Sequence, residues 1–108
     1  MSISYDDFKK VEMKVGKISS AEKIPDTDKL LKLEVDFGDE KRQIVSGIAE
    51  MYQPEDLVGK ILPFVTNLEP RTIRGVESNG MILAAHDEED KPVLLFPDKD
   101  IPAGNNLS

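Results

Sequence analysis

The segment from Val65 to Ala85 combines several side-chain types that bind anions. Its polar side chains include two arginines, two hydroxyl residues of the loop and two asparagines: Arg71, Arg74, Thr72, Ser78, Asn67 and Asn79. Gly75 and Gly80 allow sharp turns here, because glycine adopts positive φ angles without steric cost. Guanidinium, amide and hydroxyl groups on one rim suit a phosphate-rich ligand. An ordinary long hairpin loop is the alternative interpretation of the same composition.

Residues suited to catalysis or to metal binding are scarce in the chain. His86 is the single histidine, and there is no cysteine for a nucleophile, a thiolate metal site or a disulfide. Gly75 and Gly80 have the spacing of a phosphate-binding loop, but Met81-Ile82 replaces the required Lys-Ser/Thr. The acidic run 87–90 lacks the alternation and glycine of a calcium loop and predicts a solvated hairpin tip. We therefore expect no enzymatic activity, no cofactor and no metal.

Length and charge narrow the class of protein further. The 108 residues predict one domain, and no apolar run approaches the roughly 20 residues that span a bilayer. Without a secretory signal pattern, we expect a cytoplasmic protein with no membrane partner. The net charge is −7, and residues 86–108 contribute −4 of it through six carboxylates and two lysines. A broad basic surface is excluded, whereas a localised basic face remains possible.

The N-terminal third predicts a capped turn followed by a long, bent strand. Ser4 is a candidate cap for a helical turn within residues 1–10, in which Tyr5 and Phe8 would seal one end of the core. Apolar residues then alternate from Val11 to Val15, the period of a half-buried strand. Their parity changes after Gly16, which predicts a β-bulge at that glycine and a strand that serves two sheets.

The rest of the chain predicts further strands around one helical connection. Strands are expected at 29–37, 42–48, 60–65, 81–86 and 92–96. Residues 48–57 are expected to form a helical connection, in which Pro54 suits the first turn of a short helix. Residues 92–108 form a C-terminal extension of one strand and an extended tail. This order is that of an all-β, five-stranded OB-fold Greek-key barrel with a short helical connection. Another small Greek-key or SH3-like barrel is the alternative.

Three motifs support a family resemblance that covers Asp7 to about Gly104. DKLLKLEVDFG, RQIVSGI and NLEPRTIRGVESNGMILAA resemble the tRNA-binding OB domain found at the C-terminus of many methionyl-tRNA synthetases, as a free-standing subunit, and in endothelial-monocyte-activating-polypeptide-type proteins. The resemblance implies a non-catalytic module that binds tRNA by shape and assists the synthetase in cis or in trans. Carried over by motif, the contact residues are Lys29, Arg42, Asn67, Arg74, Ser78 and Met81.

The family also contains the CsaA chaperones, so a peptide-binding export chaperone is the alternative function. The N-terminal sequence DDFKKVEMKVGKI and the DLVGK–PFVTNLEPR segment are more similar to the synthetase branch. Homodimers are common in that branch, and two barrels would offer two small cationic patches to one tRNA. The interface is expected on apolar side chains that a small barrel cannot bury: Tyr5, Val93, Leu95, Phe96 and Ile101. The sequence suits either a free-standing protein or a domain of a longer synthetase.

Overall fold

The computed structural model describes residues 1–108 as antiparallel strands with two short helices. The helices are α1 (Tyr5–Lys9) and α2 (Pro54–Leu57), and neither is long enough to cross a membrane. The strands are β1 (Met13–Lys23), β2 (Leu31–Asp36), β3 (Lys41–Ser46), β4 (Ile61–Val65), β5 (Arg71–Ile73), β6 (Val76–Ser78), β7 (Met81–Ile82), β8 (Ala84–His86) and β9 (Pro92–Leu94).

Five strands form a nearly closed barrel in the order β3-β2-β1-β4-β7. β1 serves both halves of it, since its first residues pair with β4 and its later residues pair with β2. The barrel closes between β3 and the segment after β6, where the Asn79 N–H donates to the Gln43 carbonyl at 2.8 Å. The predicted all-β OB-type barrel and its helical connection are confirmed, and α2 begins at Pro54 as expected.

The bend in β1 lies beyond the glycine to which the sequence pattern assigned it. The pairing with β2 shifts register between Ile18 and Ser20. Gly16 instead allows close packing, because a Cβ there would lie 2.7 Å from Phe37 Cε1. The change of parity after Gly16 therefore predicted the bulge correctly but placed it too early in the strand.

The core consists of buried side chains from every strand of the main sheet except β7. Ile82 of β7 is partly buried and packs against this core. Phe37 and Phe64 meet edge to face, with ring centroids 5.6 Å apart, a geometry that aromatic pairs prefer. The other members of the buried cluster are aliphatic: Ile18, Leu31, Leu33, Val35, Ile44, Ile48, Ala49, Leu57, Leu62 and Leu94. This packing fixes the barrel on which the loops are mounted.

Helix α1 lies outside this core. Its cap is as predicted, since Ser4 Oγ accepts a hydrogen bond from the Asp7 N–H at 3.1 Å. The prediction that Tyr5 and Phe8 seal the core is wrong, because α1 has no buried residue and Tyr5 is 72% exposed. The chain after α1 is held by polar bonds to Asn67 rather than by apolar packing. The helix therefore leaves its apolar side chains on the surface.

The predicted strand at 81–86 is two strands with different partners. β7 continues the barrel beside β4, whereas β8 pairs with β9 in a separate hairpin. The acidic run forms the tip of that hairpin, as predicted. There the Lys91 N–H donates to the Asp87 carboxylate at 3.0 Å, which with the Glu89 N–H holds the pKa of Asp87 below its ordinary 3.8.

The C-terminal tail is paired rather than loose. The Val15 N–H donates to the Asn105 carbonyl at 3.0 Å, and the Gly104 N–H donates to the Val15 carbonyl at 2.8 Å. The tail thus continues along the edge of β1 that β2 leaves free. An open strand edge is an aggregation risk, and this pairing covers it.

Candidate nucleic-acid interface

The long connection between β4 and β7 carries a small hairpin with a cation at its tip. β5 and β6 pair from Arg71 opposite Ser78 to Ile73 opposite Val76, so Arg74 and Gly75 form the two-residue turn. Their φ angles are 52° and 80°, the double positive φ of a type I′ turn that suits strand twist. The turn therefore holds an exposed Arg74 at the tip of the hairpin.

The second predicted cation, Lys29, lies next to this tip. Lys29 belongs to the connection between β1 and β2, and its carbonyl accepts a hydrogen bond from the Ala49 N–H at 2.9 Å. Its side chain lines the same shallow groove as Arg74. In OB folds the β1–β2 loop and the loop preceding the last barrel strand are the ones that bind oligonucleotides. The structure thus joins Lys29 and Arg74 at the end of the barrel suited to that role.

These cations differ from several others in lacking a carboxylate partner. Ion pairs engage Lys10, Lys14, Lys32, Lys41 and Arg42 at N–O distances from 2.6 to 3.8 Å. Lys29, Arg71 and Arg74 are exposed and make no such pair. Arg71 was absent from the contacts carried over by motif, although it stands in the same segment. A cation without an internal carboxylate partner is available to bind a phosphate of a ligand.

Arg42, also predicted to contact tRNA, is engaged within the protein. Its Nη1 donates to the carbonyls of Thr66 and Asn79, the second at 3.3 Å. Its Nε donates to Glu40 at 2.8 Å, and the side chain is only 27% exposed. The guanidinium therefore joins the two ends of the connection that carries the hairpin.

Asn67 and Ser78 have their polar groups occupied as well. Asn67 Oδ1 accepts from the Glu12 N–H at 2.8 Å, and its Nδ2 donates to the Lys10 carbonyl at 2.6 Å. Ser78 is buried, and its Oγ accepts from the Val45 N–H at 2.9 Å and donates to the Gly80 carbonyl at 3.1 Å. Direct tRNA contact by these two residues stays a prediction, and this geometry favours a structural role for both.

Met81 is exposed by 46% and borders a groove between β3 and β7. Val45, Ile48, Ile82 and Ala84 give this groove an apolar floor, and His86 stands at its margin. A thioether beside an apolar floor offers a polarizable surface to a base or a ribose. Of the six predicted contacts, Lys29, Arg74 and Met81 are therefore the ones that face solvent without an internal partner.

The residues predicted to form a dimer interface are largely exposed. Tyr5, Val93, Leu95 and Phe96 are between 43% and 72% exposed, and Ile101 is half-buried. Phe96 and Ile101 line one depression, where Lys60 Nζ lies 5.8 Å from the centroid of the Phe96 ring. Their exposure leaves these side chains available for contact with a partner.

Comparisons with known proteins identify the family of this chain. The family model described as a putative tRNA binding domain matches residues 13–106. Methionine–tRNA ligase of Methanococcus aeolicus is 54% identical over 105 residues, which are 97% of this chain and 15% of the ligase. The ligase of Methanocaldococcus jannaschii is also 54% identical, over 99% of this chain and 16% of its own length. The chain thus spans about one sixth of these relatives.

Solved structures give the same result over the whole chain. A methionyl-tRNA synthetase-related protein from Pyrococcus horikoshii superposes with a TM-score of 0.95 at 45% identity, covering 100% of this chain and 99% of that one. The chaperone CsaA from Bacillus anthracis superposes with a TM-score of 0.91 at 30% identity, covering 100% of both chains.

The barrel and its loop-mounted cations define a nucleic-acid-binding OB-type domain. Within that class, the chain belongs to the tRNA-binding domain family whose model it matches. Its identity to the methionine–tRNA ligases exceeds its identity to CsaA, so the ligase-associated branch is the nearer one.

Proposed function

We propose that this chain binds tRNA through Lys29, Arg71 and Arg74, with Met81 providing a neighbouring surface for a base or ribose. The observation that carries the proposal is the meeting of Lys29 and Arg74, from two separate connections, at one groove and without carboxylate partners. Lysine and arginine position a nucleic acid through its phosphates. Arg42, Asn67 and Ser78 support the loops that present these groups.

The salt dependence of binding to unfractionated tRNA tests this patch. Each phosphate contact steepens the log–log dependence of affinity on salt by about 0.9 on duplex-like nucleic acid, so three contacts predict a slope near −3. Arg74→Ala should reduce the steepness by about 0.9 and weaken different tRNAs about equally. Lys41→Ala is the matched control, because it also removes one exposed charge but lies on β3 in an ion pair with Glu34. A flat salt response, or selective loss of one tRNA, would contradict the proposal.

The domain would act as an accessory to methionyl-tRNA synthetase, in cis or in trans, in the cytoplasm and without catalysis of its own. Support comes from the identity to part of the methionine–tRNA ligases. Added to or fused with a synthetase that lacks such a domain, the chain should lower the apparent KM for tRNA. The Arg74→Ala variant should do so less. Aminoacylation by the purified chain alone would show that the non-catalytic assignment is incorrect.

We further propose that the working form is a homodimer. The support is the exposure of Tyr5, Val93, Leu95 and Phe96 on a barrel with net charge −7, since two weak patches bind one tRNA with an effectively intramolecular second contact. A stable pair should bury about 800 Å² per partner. Sedimentation equilibrium at micromolar concentration should give the dimer mass. Phe96→Asp should yield a folded monomer, whereas Met51→Asp, a similarly exposed apolar position, should remain dimeric.

A chaperone function is the second candidate, favoured by the CsaA superposition and by the apolar groove beside Met81. An unfolded polypeptide substrate would bind that groove with little dependence on salt. Binding to tRNA and to an unfolded secretory precursor, measured side by side, separates the two functions. The chaperone function would be favoured if the wild-type chain bound the precursor but not tRNA, and if Arg74→Ala bound the precursor equally well.

A further inference from the structure

Arg42 reaches both ends of the connection that carries the cationic hairpin. The outgoing end is held through the Thr66 carbonyl and the returning end through the Asn79 carbonyl, and one nitrogen, Nη1, donates to both. Glu40 fixes the other side of the guanidinium through Nε. The planar fork of arginine suits such simultaneous donation, which a lysine ammonium cannot reproduce with the same geometry.

Each end also has its own attachment to the barrel. Thr66 is bonded to Glu12 through its N–H at 2.8 Å and through its hydroxyl. On the returning side, Val45 and Gln43 of β3 hold Ser78 and Asn79. No other side chain bonds to both ends. Without Arg42 the barrel stays closed through the pairing of β4 with β7 and the bonds of β3 to Ser78 and Asn79, but the Thr66 and Asn79 carbonyls lose the one side chain that ties the two ends of the connection together.

We infer that Arg42 is a positioning residue for tRNA binding, which sets the direction of the β5–β6 hairpin and so brings Arg74 beside Lys29. This inference rests on the proposed tRNA-binding function. A loose hairpin has to be ordered when tRNA binds, and that ordering lowers affinity without removing a phosphate contact. Arg42 thus acts through Arg74 and makes no contact of its own with the phosphates.

Binding of the full chain to unfractionated tRNA across a salt series tests this role. Arg42→Ala should weaken binding by about tenfold, the loss expected for about one well-oriented contact, while the salt slope stays at the wild-type value. Lys41→Ala, which removes the neighbouring charge, should change affinity far less. Arg42→Lys keeps the charge but loses the fork, and should bind as weakly as Arg42→Ala.

A double variant separates positioning from general destabilisation. In an Arg74→Ala background, Arg42→Ala should cause little additional loss, because the group that it positions is already absent. Amide exchange at Ile73–Val76 should accelerate in Arg42→Ala, while exchange in β1 and β2 stays at the wild-type rate. If Arg42→Ala fails to fold, Arg42→Lys provides the same comparison.

Three results would overturn the inference: a salt slope reduced by about 0.9, as for a direct phosphate contact; full affinity in Arg42→Lys; or additive losses in the double variant. A loss of affinity in Arg74→Ala without one in Arg42→Ala would refute the positioning role alone. Wild-type affinity in Arg74→Ala would instead refute the proposed tRNA patch.

Discussion

Asn67→Ala separates a structural asparagine from one that contacts tRNA. The variant removes two hydrogen bonds to the chain between α1 and β1, one accepted from the Glu12 N–H and one donated to the Lys10 carbonyl. Each such bond contributes about 0.5–1.5 kcal/mol net. Because Asn67 is exposed and water can replace its side chain, we expect a loss near the lower half of the sum, about 1–2 kcal/mol. That corresponds to a melting temperature lower by about 4–16 °C for a domain of this size.

Urea unfolding of Asn67→Ala and Asn79→Ala provides the comparison. Asn79 stands in the same connection, but only its backbone groups make hydrogen bonds, so the same change there should cost less than about 0.5 kcal/mol. The salt slope of tRNA binding should be unchanged in both variants. If Asn67→Ala matched Asn79→Ala in stability but lost tRNA affinity, the asparagine would be a contact residue and the structural reasoning would fail.

Two further predictions concern packing and pH. Gly16→Ala should lower the free energy of unfolding by about 1–3 kcal/mol through overpacking, since its Cβ would meet Phe37 and Val35. Gly47→Ala is the control, because a Cβ there would meet open space. Equal stability of the two variants would contradict this account. Asp87→Ala should destabilise the β8–β9 hairpin at pH 7, and the difference from wild type should shrink as the pH falls below 3.8. The sign follows because a lowered pKa in the folded state stabilises it only while the carboxylate is ionised; a difference that grew on acidification would refute it.

The sequence predicted the barrel well because its strands carry local signals. Leu31, Leu33 and Val35 alternate with polar residues, and all three are fully buried in β2. The end of β7 was missed, because residues 81–85 form one continuous apolar run and only the change of pairing partner divides it. The bulge was misplaced for a similar reason. A change in the parity of the apolar positions indicates that the strand register shifts, but it does not show at which residue the pairing with the partner strand changes.

The sequence indicates candidate site residues by type but does not show which of them the fold engages internally. Lys29, Arg42 and Arg74 are equivalent as cations in the sequence. Only the fold shows that Arg42 donates hydrogen bonds to carbonyls 24 and 37 residues away. The same holds for Asn67, whose partners lie 55 and 57 residues away. Long-range bonds of this kind leave no periodic signal, so the sequence could not show that these groups are engaged within the protein.

The acidity of the chain bears on the proposed role of the hairpin in tRNA binding. Asp26 and Asp28 line the same groove as Lys29 and Arg74, so two carboxylates offset the two cations there. Interactions between exposed charges fade within about 8–10 Å at physiological salt, and the net charge of −7 gives no long-range attraction for RNA. Affinity at the proposed site therefore requires a few cations held at fixed positions, and the Arg42 bonds to Thr66 and Asn79 would contribute to holding them.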